Sequence, residues 1–422
     1  MGAAQARLSH SLDAAFTPTQ QAIIDREERF GAHNYHPIPV VLTRGEGAFL
    51  WDVDGKRYFD FLSGYSAVNQ GHCHPRIVGA LTEQARRLTL TSRAFFNDAL
   101  GEYEEYICSL LGYDKVLPMN TGVEGGETAI KLARRWGYDV KGVPADSAKV
   151  LFARNNFWGR TMSAVSASSD PEAYTGFGPF MPGFESIPYD DLEALEAALE
   201  ADPNVVAFMV EPIQGEAGVV VPSDGYLPGA KKLLEKHNAL LIADEVQTGL
   251  ARTGRRLAVD HVGVRPDVLI LGKALSGGTM PVSAVLADDD VMLTIDRGQH
   301  GSTYGGNPLA AKVALEALRV IEDEGLAARA EALGAAFRAE LEADRPANLQ
   351  EIRGRGLLLA IVIDETKGKA AWDVCLDLAR RGLLTKPTHG NIVRLAPPLV
   401  IAEDDVVQAA KIIKDALNAA LN

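Results

Sequence analysis

A chain of 422 residues is too long for one small core and calls for a large domain with a smaller one beside it. Hydrophobic residues make up 47% and charged residues 23%, an ordinary globular composition, and the formal net charge of −14 argues against nucleic acid or an anionic membrane as the main partner. Three scattered cysteines, Cys73, Cys108 and Cys375, point to a reducing compartment rather than a disulfide framework.

The first residues lack the basic start and apolar stretch of a signal peptide. Met1-Gly2 is followed by Ala6 where a myristoylation signal wants Ser or Thr. The Ala-rich opening with Arg7 resembles a mitochondrial leader, but it is short and carries Asp13, so the cytoplasm is the expected location and the mitochondrial matrix the alternative. No apolar run approaches the ~18 residues of a membrane span. Thr17-Pro18 reads as a helix start with Thr17 as cap. Residues 45–64 alternate in patches around Asp54-Gly55, a hairpin-turn signal. His72-Cys73-His74 matches no standard metal spacing and has no second ligand cluster, so no metal is expected.

Thr121-Gly122-Val123-Glu124-Gly125-Gly126-Glu127 precedes a helical run, Thr128–Trp136. Small residues ahead of a helix leave backbone amides free for a phosphate, and the helix dipole assists; an ordinary Gly-rich turn has the same composition. Phe157-Trp158-Gly159-Arg160 combines aromatics that can stack on a planar cofactor with a cation that can grip a carboxylate. Val205–Val210, Leu240–Ala243 and Val268–Leu271 are short apolar runs, with a helical stretch at about 226–238 between the first two. This alternation predicts βα units feeding a buried, largely parallel sheet, with the ligand at the carboxyl ends of its strands. Those ends carry Glu211, Asp244-Glu245 and Gly272-Lys273.

A lysine at the buried end of a strand is costly as a cation, and as a neutral amine it can attack an aldehyde. An acid ending the neighbouring strand would project into the same crevice. Pyridoxal phosphate needs those two partners, an amine to bind its aldehyde and an acid beside its pyridine nitrogen, and Lys273 and Asp244 supply them. Ser302-Thr303-Tyr304-Gly305-Gly306-Asn307-Pro308 is a further hydroxyl and glycine cluster able to reach a phosphate, or a plain loop. From about 315 to 342 a long Ala/Glu-rich helical stretch follows, then a strand-like run, Leu357–Ile363, then Val406, Ala410, Ile413 and Leu417 at helical spacing.

Taken in order, Thr121–Glu124, Phe157–Arg160, Glu211–Glu216, Asp244–Gly249 and Gly272–Gly278 resemble the class III aminotransferases of fold type I, over nearly the whole chain from residue 17 onward. Gly31–Pro37, Ser66–His72 and Lys386–Gly390 resemble the members acting on ornithine. The resemblance implies an α/β fold with a mostly parallel sheet in a large cofactor-binding domain (66–315), an N-terminal segment (1–65) and a small α+β domain (316–422). It implies pyridoxal phosphate as cofactor, ornithine and 2-oxoglutarate as substrates, and a homodimer with the active site at its interface. Lys273 is then the covalent anchor and proton shuttle, Asp244 the partner of the ring nitrogen and Gln247 that of the ring hydroxyl. Phe157 and Val246 sandwich the ring. Gly122 and Val123 bind the phosphate, joined by Ser302 and Thr303 of the neighbouring subunit. Tyr35 and Arg160 hold the far carboxylate, Tyr65 lines the pocket, and Glu216 and Arg394 form a switchable pair. Gly126 departs from the Ala that the family pattern leads us to expect. The alternatives are a transaminase for N-acetylornithine or 4-aminobutyrate, an aminomutase on glutamate semialdehyde, and a serine hydrolase, for which Ala274–Gly278 is an incomplete nucleophile elbow.

Overall fold

Six of the seven strands in the central sheet run in one direction, because helices cover both of its faces. The strands Val205–Val210, Leu240–Asp244 and Val268–Leu271 are buried at every position, the pattern of a sheet with no wet face. In the computed structural model, which describes residues 16–421, the sheet order is Lys115–Met119, Ser283–Ala287, Val268–Leu271, Leu240–Asp244, Val205–Val210, Lys149–Ala153, Phe184–Ile187. Only Ser283–Ala287 is antiparallel to its neighbours. The apolar runs of the sequence are thus adjacent strands, and the helix between the first two spans Tyr226–Lys236.

Two smaller sheets flank this core. Leu349–Arg355, Leu358–Ile363, Ile392–Leu395 and Pro387–Thr388 form an antiparallel sheet near the C-terminus. Leu42–Glu46, Phe49–Asp52 and Arg57–Asp60 form the second, with the turn at Asp54-Gly55 where the sequence places it. Its last strand pairs in parallel with Leu383–Leu384, so the N-terminal strands join the C-terminal part of the chain. The helix Glu403–Ala419 buries Val406, Ala410, Ile413 and Leu417 along one stripe.

Two local expectations change. The helical stretch of 315–342 is two helices, Pro308–Asp323 and Leu326–Glu342, separated at Gly325, whose φ of 59° ends the first run. The first of these, Pro308–Asp323, runs unbroken through position 315. The helix expected from Thr128 begins at Gly122, because Thr121 and Glu124 form a capping box. Thr17 caps Pro18–Phe30 in the same way. The readings that involve Met1, Gly2, Ala6, Arg7 and Asp13 lie outside the described residues. Among those described, no helix is long and apolar enough to cross a membrane.

Arg252 binds these parts together. It is fully buried and gives hydrogen bonds to Asn69 Oδ1 at 2.6 and 3.1 Å, to the Leu357 carbonyl at 3.0 Å and to the Pro397 carbonyl at 2.6 Å. Burial lowers its pKa to about 9, with Asp60 opposing the shift.

Candidate active site

Asp244 closes its strand with a buried carboxylate. Among the described residues it receives one hydrogen bond, from the Val246 amide at 3.0 Å. Burial raises its pKa to about 6, against the Val246 amide and the positive charge of Lys273. A buried acid with so little satisfaction is an acceptor suited to a cationic N–H.

Lys273 follows the adjacent strand. It sits not at the strand end proper but at the first position of a short 3₁₀ turn, Lys273–Ser276, with φ 45°. For a residue with a Cβ this is a strained backbone, of the kind that persists at sites where side-chain direction matters. Burial lowers the amine from 10.5 to about 8, with Glu216, Asp244 and Glu211 raising it and Arg394 lowering it further. Lys273 and Gly122 line one cleft with Asn120, Thr121 and Thr279.

At the mouth of that cleft the helix Gly122–Trp136 starts. Thr121 and Glu124 satisfy each other's amides in the capping box, which leaves the Gly122 and Val123 amides to outside acceptors. Gly122 has to be glycine, since a Cβ there would lie 2.9 Å from Val246 Cγ1. Ser302 Oγ accepts from Asn120 Nδ2 at 2.9 Å within the same chain, beside this helix start, whereas Thr303 is exposed. Val246 packs beside Gly122 and Gly272, and the acid, the amine and the free amides together match a flat, phosphate-bearing pyridine aldehyde.

The five residues expected to contact substrate line one further cavity: Tyr35, Tyr65, Arg160, Glu216 and Arg394, with Lys386 beside them. Tyr65 reaches it from a left-handed turn in which Ser63, Gly64, Tyr65 and Ser66 all have φ between 50° and 71°. Arg394 lies 5.1 Å from the Tyr65 ring centroid and grips Glu216 through both guanidinium nitrogens, Nη1 to Oε1 at 2.9 Å and Nη2 to Oε2. Burial pushes the Glu216 carboxyl up, but Arg394 more than offsets this and holds it below the usual range. Arg160 stands over the Phe157 ring at 5.5 Å and makes no hydrogen bond or ion pair among the described residues. Gln247 packs on the Glu216 loop so closely that a Cβ on Gly215 would fall 1.5 Å from its Oε1.

Glu211 was the residue the strand-end rule reached without giving it a function. It is buried against Asp244, and burial with that neighbouring charge raises its pKa to about 8. His72 pairs with Asp60 at 2.7 Å and His74 with Glu324 at 2.9 Å, so the two histidines serve separate contacts.

A cleft at the carboxyl ends of a mostly parallel sheet, with a lysine and an acid from adjacent strands, defines a fold type I aminotransferase. The family model described as Aminotransferase class-III matches residues 30–417. The chain is 64% identical over 396 residues to the mitochondrial ornithine aminotransferase of Rattus norvegicus, covering 94% of this chain and 90% of that one. A crystal structure of the ornithine aminotransferase from Toxoplasma gondii ME49 has a TM-score of 0.93 at 51% identity, covering 96% of each chain. A crystal structure of acetylornithine aminotransferase from Elizabethkingia anophelis has a TM-score of 0.85 at 54% identity, covering 94% of this chain and 98% of that one. The chain belongs to the class III aminotransferases, and its substrates are small molecules.

Proposed function

We propose that the protein is a pyridoxal-phosphate-dependent ornithine δ-aminotransferase, converting L-ornithine and 2-oxoglutarate to glutamate 5-semialdehyde and L-glutamate. The observation that carries this reading is the pair of guanidinium groups in one cavity. Arg394, whose charge acts on Lys273, is neutralised by Glu216, while Arg160 makes no hydrogen bond or ion pair among the described residues. That distribution suits a donor with a neutral methylene at the reacting end and a carboxylate at the far end.

When bound, the cofactor supplies an aldehyde for amines and a ring that accepts the electrons left by a departing proton. Lys273 would hold it through its amine, and the same amine would take the proton from the substrate carbon and return it. Asp244 would accept from the ring N–H and keep that nitrogen protonated, and Gln247 would meet the ring hydroxyl. Phe157 and Val246 would enclose the ring, and the Gly122 and Val123 amides would hold the phosphate. Arg160 binds the α-carboxylate with Tyr35, and Tyr65 lines the path. In the second half-reaction the α-carboxylate of 2-oxoglutarate displaces Glu216 and takes Arg394 bidentately.

The assembly is a homodimer in which Ser302 and Thr303 of one subunit complete the phosphate site of the other. The helix Pro18–Phe30 has no buried residue, and Phe30, Phe95, Phe96 and Tyr304 are exposed, which supports a covering partner surface. The cysteine usage supports a reducing compartment.

Single-turnover spectra of the cofactor-loaded protein decide the donor. Ornithine should convert the cofactor faster than glutamate, N-acetylornithine or 4-aminobutyrate, and 2-oxoglutarate should restore it. A faster reaction with N-acetylornithine would assign the chain to the other branch. Turnover of glutamate semialdehyde without any keto acid would make it an aminomutase.

A further inference from the structure

Glu211 is buried, and both of its carboxylate oxygens are engaged. Oε1 accepts from the Phe157 amide at 3.0 Å and Oε2 from the Gly215 amide at 3.2 Å. The two amides belong to different loops. One follows the strand Lys149–Ala153 and carries Phe157 and Arg160; the other follows the adjacent strand Val205–Val210 and carries Glu216. Gln214 joins the same two loops a second time, its Nε2 donating to the Arg154 carbonyl at 2.7 Å.

The turn that carries Glu216 is fixed on its other sides as well. Gln214 and Val220 exchange backbone hydrogen bonds at 3.0 and 2.9 Å, and Thr388 Oγ1 donates to the Glu216 carbonyl at 2.8 Å. The backbone before, at and after Glu216 is therefore held. Its carboxylate can leave Arg394 only by rotation about its own side-chain bonds.

We propose that Glu211 is a positioning residue that holds the Phe157 ring and the Glu216 turn in one fixed relation, so that the Glu216–Arg394 pair opens by side-chain rotation over a rigid shelf rather than by loop movement. The proposal rests on the roles given above to Phe157 and Glu216. Its chemistry is specific to a carboxylate. Glutamine has one acceptor oxygen, and its NH₂ would face the second amide donor to donor, leaving a buried N–H unpaired. Aspartate keeps both acceptor oxygens but lacks the reach to hold both amides.

The test uses the cofactor-loaded Glu211→Gln enzyme and three readouts: the visible circular dichroism of the bound cofactor, its dissociation constant, and the ratio of single-turnover rates with ornithine and glutamate. The expected result is a reduced dichroic band, a dissociation constant raised roughly tenfold, and an ornithine-to-glutamate ratio lowered severalfold. A role confined to stability would lower the melting temperature and leave the band and the ratio unchanged, which overturns the proposal. Should Glu211→Gln fail to fold, Glu211→Asp is read by the same measurements with the same two outcomes. A wild-type protein with no cofactor band or no preference for ornithine would instead overturn the underlying reading, and this proposal with it.

Discussion

Gly126 lies directly beneath the indole of Trp158: a Cβ placed on it would come 2.5 Å from Trp158 Cε3 and 3.0 Å from Cζ3. The ring has little room to retreat, because it is stacked on Phe152 with centroids 5.9 Å apart and planes 6° apart. With no methyl group at position 126, the indole sits directly against the helix backbone.

Two effects oppose each other in Gly126→Ala. Alanine gains about 1 kcal/mol over glycine in a helix interior. Overpacking a filled core costs ~1–3 kcal/mol. With the ring trapped against Phe152 the second effect should prevail, and the variant should be less stable by ~1 kcal/mol in chemical denaturation. Because Trp158 follows Phe157 in the chain, the displaced ring should also alter indole fluorescence on cofactor binding. A more stable variant with unchanged fluorescence would mean that Trp158 moves freely.

Asp244→Asn separates fold from chemistry. Asn keeps an oxygen for the Val246 amide, now at 3.0 Å, so the turn survives. It cannot hold a proton on the ring nitrogen. Cofactor should still bind, while removal of the substrate proton slows by ~10²-fold or more, the scale of general acid–base contributions. Unchanged turnover would leave Asp244 as a turn residue only.

The site also fixes a pH dependence. The Lys273 amine is lowered to about 8 by burial. A lowered lysine is neutral above that value, and only the neutral amine attacks an aldehyde. Cofactor capture by the cofactor-free protein should therefore rise with pH through a midpoint near 8 rather than near 10.5. Stability responds with both signs. Asp244, Glu211 and Glu245 are raised to about 6, 8 and 7, so their contribution is complete below the ordinary carboxylate range and is lost as pH rises through those values. Lys273 contributes above its ordinary value and loses that contribution as pH falls through about 8. Asp244→Asn should consequently flatten the loss of stability of the cofactor-free protein between about pH 4 and 6. An ordinary lysine midpoint in the capture rate would contradict the burial of Lys273.

The parts legible in the sequence are those whose chemistry is local. Val205–Val210 and Val268–Leu271 are apolar throughout because both faces of the sheet are covered, so run length alone locates them. Lys273 and Asp244 follow from the strand-end rule. Tyr35, Tyr65, Arg160, Glu216 and Arg394 come from five separate segments, and no periodicity joins them; the resemblance named them, and the cavity they share is a property of the fold. The strand-end rule reached Glu211 without a role, and Arg252 lacked a signal of its own, since their partners are backbone groups or an asparagine distant in sequence. The break at Gly325 was hidden by the helical propensity of the alanines and glutamates on both sides.

The Glu216–Arg394 contact is either a fixed brace or a gate. The Arg394 side chain is 7% exposed and that of Glu216 25%, so the acid is the partner with room to move. Arg394 is further held by its contacts with Thr388 Oγ1 at 3.3 Å and the Tyr65 ring, which keep the guanidinium in place when the acid departs. Glu216→Ala then leaves a permanently open cation. The variant should gain activity with α-amines such as glutamate, whose carboxylate lies beside the reacting carbon, and lose its preference for the ornithine δ-amine. A bidentate carboxylate contact is worth roughly 1.5–3 kcal/mol, so the shift in preference should be on the order of ten- to a hundredfold. Arg394→Ala removes the anchor itself and should slow the 2-oxoglutarate half-reaction far more than the ornithine one. It also leaves Glu216 without its partner, so stability should fall as well. Single-turnover rates for each half-reaction separate these effects from that loss. A fixed brace predicts equal losses in both halves for both variants, and that result would remove the gate from the mechanism.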